Sequence, residues 1–96
     1  MSEVHIPTEE EFAQYQRRVF ELIAEQGVDP LEFEVEVVLR GTYVLAPAIL
    51  VRSTRRQNYS AVRLGAHWEP EQTALAQAQA VASHARWLEQ NPEESA

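Results

Sequence analysis

The stretch LEFEVEVV, residues 31–38, alternates apolar residues with glutamates at a period of two, and no helix can sort such residues onto one face. Leu31, Phe33, Val35, Val37 and Leu39 are predicted to point one way and Glu32, Glu34 and Glu36 the other, as in a half-buried strand. Arg40-Gly41-Thr42 reads as a hairpin connection to a second β-rich run, Tyr43 to Arg52, which is apolar on both faces. There, Tyr43, Leu45, Ile49 and Val51 alternate with Val44, Ala46, Ala48 and Leu50, so whichever set joins a core, the other is left out. Pro47 has no N–H for a ladder, which asks for a bulge or break at that point, or for an edge position. A polar loop from Ser53 to Asn58 leads to a third strand, Tyr59 to His67.

Helical spacing brackets this β segment. Thr8-Glu9-Glu10-Glu11 is a capping box with acids in the first turn. Phe12, Tyr15, Val19, Leu22 and Ile23 then share one face, and Gly27 provides a left-handed stop, predicting a helix over residues 9–26. Glu69-Pro70-Glu71 opens a second helix that runs to about Gln90, with a narrow stripe of Leu75, Ala78, Val81, Ala82, Ala85 and Leu88. The expected fold class is α+β, in the order αβββα: a three-stranded antiparallel meander with two helices packed on one face. At 96 residues and 45% hydrophobic content, one domain over residues 1–96 is expected, with 1–7 and 92–96 frayed.

Charge and composition narrow the function classes. A formal charge of −7 opposes general binding of nucleic acid, whose affinity rests on neutralising phosphates. Residues 41–65 nevertheless hold four arginines and no acid. Every basic side chain is Arg and alanine is abundant, a bias we ascribe to GC-rich coding in a small bacterial protein. The chain has no cysteine, which fits a reducing, cytoplasmic setting, and no secretory signal or membrane-length apolar run is read, so no membrane association is expected.

The apolar excess of the second strand points to a partner. An exposed column of four such side chains is a patch of the size that marks an interaction site, each worth roughly 1.5–3 kcal/mol when buried. The interface candidates are Tyr43, Leu45, Ile49 and Val51, with Trp87 lying off the helical stripe, and a homodimer or a protein partner is expected. The alternative is that a loop, the Val4-His5-Ile6 segment or the end of the second helix covers the column.

A second function class links the chain to nucleic acid. Arg52, Arg55, Arg56 and Arg63 with Tyr59 form the one basic patch, and the Glu32, Glu34 and Glu36 face is a ladder with spacing of about 6.6–6.8 Å that could imitate phosphates. His5, His67 and His84 match no metal spacing, and no nucleophile with base and orienter, nor any glycine-rich phosphate loop, is read. No cofactor and no enzymatic activity are therefore expected, the one catalytic option being His67 with His84.

GTYVLAP at 41–47 and ALAQAQAVASHARWLEQNP at 74–92 resemble small bacterial domains of unknown function, in which a short β-meander precedes a long helix with a His-Ala-x-Trp-Leu ending. That resemblance implies an α+β domain and carries no site residues. The αβββα order is also similar to double-stranded RNA-binding domains, whose lysine-rich start to the second helix is replaced here by Glu69-Pro70-Glu71-Gln72.

Overall fold

The structure is a computed structural model that describes residues 4–40, 46–65 and 68–95. Its elements are α1 (Glu9–Glu25), a 3-10 turn (Pro30–Glu32), β1 (Phe33–Val38), β2 (Ala48–Ser53), β3 (Tyr59–Arg63), α2 (Pro70–Gln90) and a short α3 (Pro92–Ser95). The strands form one antiparallel sheet in the order β1-β2-β3, so the fold is α+β with the expected helix, strands, helix order.

α1 starts as its sequence requires. Thr8 accepts the Glu11 backbone N–H, the Glu11 carboxylate accepts the Thr8 N–H, and Gly27 turns the chain out at φ +80°. Asp29 then accepts the Leu31 N–H at 2.9 Å and Pro30 enters the 3-10 turn, which delays the strand to Phe33. Leu31, expected inside, is 86% exposed, and Glu32, expected on the wet face, is buried. Leu39 is also exposed, beyond the end of β1.

The connection between β1 and β2 is longer than a tight hairpin: β1 ends at Val38 and β2 begins at Ala48. Gly41 and Thr42 of the expected turn, and Tyr43, Val44 and Leu45 of the expected strand, lie outside the described residues, as do Ala66 and His67 after β3. β2 is the central strand despite Pro47, because the proline sits one residue before it and takes part only as an acceptor, from the Leu64 N–H at 2.9 Å. Residues 92–95 form a short helical turn.

Register assigns each strand residue to a face. Val35 pairs with Val51 and Val51 with Ser60; Val37 pairs with Ile49 and Ile49 with Val62. This is the side on which the core forms, with Phe33, Val35, Ile49 and Val51 packed against Tyr15, Val19 and Ile23 of α1 and Ala74, Ala78, Val81 and Ala85 of α2. Ile49 and Val51 are fully buried. The expected exposed column is thereby corrected: two of its members are core residues, chosen because their parity matches Phe33 and Val35 across the ladder. On α2 the inward stripe begins at Ala74, and Leu75 faces out.

One polar side chain fastens the two layers. Gln77 is completely buried, and its amide donates to the carbonyls of Ile49 on β2 (3.1 Å) and Ser60 on β3 (2.9 Å), while its own carbonyl accepts the Tyr15 hydroxyl from α1. α1, α2 and the sheet thus meet at one amide, and burial raises the Tyr15 pKa so that the hydroxyl remains a donor throughout the ordinary range. Tyr15→Phe removes that donor and leaves a buried acceptor; the expected cost is about 1–3 kcal/mol in chemical denaturation. Ile49→Ala is expected to cost about 2–5 kcal/mol by the same measurement, whereas a residue of a solvent-facing column would cost little.

Candidate interaction surface

The helices cover one face of the sheet, and the opposite face is built from the other parity. Its three rows are Glu34, Arg52 and Tyr59; Glu36, Leu50 and Ala61; and Val38, Ala48 and Arg63. Tyr59 is 60% exposed, Ala61 and Arg63 are exposed, Leu50 and Val38 are half-buried, and Ala48 is buried. Arg52 bridges Glu34 at 3.1 Å and Glu36 at 3.3 Å, so the β1 side of this face carries its own counter-ion.

Backbone groups along the strands alternate in direction. Ser53 N–H donates to the Asn58 carbonyl and Leu64 N–H to the Pro47 carbonyl, which makes 53/58 and 47/64 hydrogen-bonded pairs. By alternation 49/62 and 51/60 are too, so the N–H and C=O groups of Tyr59, Ala61 and Arg63 point away from β2. Among the described residues nothing is bonded to them. On β1 the Thr54 N–H donates to the Glu32 carbonyl, so Glu34, Glu36 and Val38 bond inward and Phe33, Val35 and Val37 lie on the outer edge, the Phe33 N–H being taken by the Pro30 carbonyl.

α2 forms a ledge beside the β3 edge. One groove of about 510 Å³ lies between Val62, Arg63, Glu69, Gln72, Thr73 and Ala76. Another of about 240 Å³ lies between Asn58, Tyr59, Ala80 and His84. Trp87, the helical candidate, is 46% exposed, with its ring stacked on His84 at 5.7 Å. It is a surface side chain one turn beyond the ledge.

The four arginines do not act together. Arg56 is drawn inward by Glu32: its Nη2 and Nε reach the two carboxylate oxygens at 2.8 and 3.1 Å, and its Nη1 reaches Glu89 at 3.0 Å. Ser53 Oγ donates to the same carboxylate at 2.6 Å and accepts the backbone N–H groups of Arg55 and Arg56, which shapes the loop. Arg52 is paired as described, while Arg55 and Arg63 are exposed. The glutamate ladder is likewise reduced to Glu34 and Glu36, because Glu32 belongs to the turn and the loop.

Of the histidines, His5 and His84 have separate partners, and His67 lies outside the described residues. His5 bridges Glu11 at 3.2 Å and stacks on Trp68, which packs in turn on Tyr15. The Val4-His5-Ile6 segment therefore runs beside Trp68, with His5 N–H to the Gly65 carbonyl, and does not cover the open sheet face. His84 is exposed, and no group of three His, Cys, Asp or Glu able to hold a metal occurs among the described residues. No helix is long and apolar enough to cross a membrane among those residues.

Sequence reasoning missed Gln77 and the Glu32–Arg56 pair. Gln77 falls in step with Ala74, Ala78 and Val81, and that position within an apolar stripe was its signal. For Glu32 the signal was Asp29-Pro30, an N-cap followed by proline, which breaks the alternation before it starts. Comparison with protein-family models, curated proteins and solved structures found no match to this chain. The surface is therefore read from its own chemistry.

Burial pushes the Glu32 carboxyl up, and the Arg56 guanidinium and Ser53 hydroxyl outweigh it, holding the group below the usual carboxylate range. A lowered native pKa contributes stability that is present above about pH 4.5 and is lost as pH falls through the lowered value. Arg56→Met strands Glu32 and is expected to cost about 3 kcal/mol at pH 7. The double change Glu32→Leu with Arg56→Met is expected to recover most of that loss and to flatten the acid limb of a stability-against-pH curve.

Proposed function

We propose that this chain is a non-catalytic interaction module that associates with a second copy of itself through the β2–β3 half of its sheet and the adjoining side of α2. The observation that carries the reading is where charge is missing. In a chain of net charge −7, residues 37–68 and 72–88 contain no acid at all. The open strand surface there carries Leu50, Tyr59 and Ala61, with an unbonded outer edge beside it. Two copies meeting on that side bury apolar and aromatic surface without bringing their carboxylates together, whereas contact through α1 or β1 would oppose like charges.

The nucleic-acid reading is not favoured. Arg56 and Arg52 are occupied by Glu32, Glu34, Glu36 and Glu89, which leaves Arg55 and Arg63 of the four outside any ion pair among the described residues, against a strongly acidic whole. Binding to phosphate through so few cations does not overcome that repulsion.

Salt separates the two readings. Sedimentation velocity from micromolar to submillimolar protein is expected to give a monomer–dimer equilibrium that tightens as salt rises, because screening removes the repulsion between acidic copies. Oligonucleotide binding would instead weaken with salt. A monomer mass at every concentration and salt would overturn the self-association reading.

A further inference from the structure

We infer that the second copy is joined edge to edge, β3 against β3 in antiparallel register about Ala61, so that two three-stranded sheets become one sheet of six strands. The inference rests on the self-association reading and specifies its geometry. An outer strand edge is a row of donors and acceptors awaiting another strand. On β3 that row is the N–H and C=O of Tyr59, Ala61 and Arg63, which face away from β2.

A twofold axis midway between the two copies of Ala61 sets Ala61 opposite its own copy and Tyr59 opposite Arg63 of the second copy, on the same exposed face. These are the hydrogen-bonded pairs of the new ladder, with side chains about 5.5 Å apart at their origins, close enough for a guanidinium to lie over a phenol ring. No acid takes part. The β1 edge fails the same test: either register that pairs five of its residues sets Glu34 opposite Glu36 or Glu36 opposite itself. Like charges directly opposite destabilise a strand pair, so only one edge of this sheet is self-complementary.

The layer above agrees with the layer below. An axis perpendicular to the sheet brings the two α2 helices side by side and antiparallel along the ledge that flanks β3. That ledge presents Ala76 and Ala80, whose size permits close approach, with the His84 and Trp87 rings toward its end. The two grooves between ledge and edge are the space the second copy's β3 and α2 would fill.

The test is hydrogen exchange of the intact chain, read amide by amide by NMR at low and high protein concentration. The amides of Tyr59, Ala61 and Arg63, unbonded in one copy, are expected to slow at least tenfold at high concentration, while those of Phe33, Val35 and Val37 do not change with concentration. Ala61→Pro removes an N–H that the monomer leaves unbonded, and is expected to weaken the dimer at least thirtyfold in sedimentation while dilute samples keep their melting temperature. Arg63→Glu is expected to weaken it by about tenfold. A dimer whose Tyr59, Ala61 and Arg63 amides stay fast overturns the edge geometry and leaves self-association standing. Absence of any dimer overturns both. Because the exchange experiment uses the unaltered protein, it decides the matter even if Ala61→Pro fails to fold.

Discussion

Two helices can cover only one side of a three-stranded sheet, and this limit governs the rest of the molecule. Once Phe33 and Val35 face the helices, antiparallel pairing makes Val51 and Ile49 follow them, and Val62 follows Ile49. The parity of one strand therefore propagates across the sheet. What is left, Glu34, Glu36, Leu50, Arg52, Tyr59, Ala61 and Arg63, becomes surface by exclusion. Gln77 holds the layers in that alignment, since its amide reaches both β2 and β3 from the helix side, and a slip of one residue would present it with side chains where it needs carbonyls.

Glu32 and Arg56 act on a different part of the chain. The carboxylate collects the guanidinium and the Ser53 hydroxyl, and Ser53 in turn takes two backbone N–H groups of the loop. The entry to β1 and the exit from β2 are thereby tied at one end of the sheet, where Thr54 also donates to the Glu32 carbonyl. At the other end Pro47 lies just outside the strand and only accepts. The sheet is thus fastened by ionic and hydroxyl groups at one end and bounded by a residue without a donor at the other.

Much of the fold was legible because it depends on local rules. Thr8 with Glu11, Gly27, and Pro70 mark helix ends by chemistry that acts within a turn, and the period of Phe33 to Val37 marks a strand. The order of the strands followed from their succession in the chain, although the β1–β2 connection is longer than the tight hairpin read there. What the sequence left open was long-range: whether Ile49 or Leu50 faces inward is decided by partners on β1 and α2, not by neighbours in the chain. Glu32 and Arg56, 24 residues apart, likewise read as separate members of an acidic face and a basic patch until the fold brings them together. The candidate site was least legible for that reason, since two of its apolar members serve the core and two of its arginines serve ion pairs.

The glutamates of β1 have a further consequence. A sheet that offers both edges to its own kind can add copies without end, as fibrils do. Here the outermost strand on one flank bears two carboxylates on its wet face, and any joining through the other flank returns that same strand to both ends. Growth by strand addition is then blocked at the ends by matching negative charge. The chain's architecture favours a closed pair over a filament.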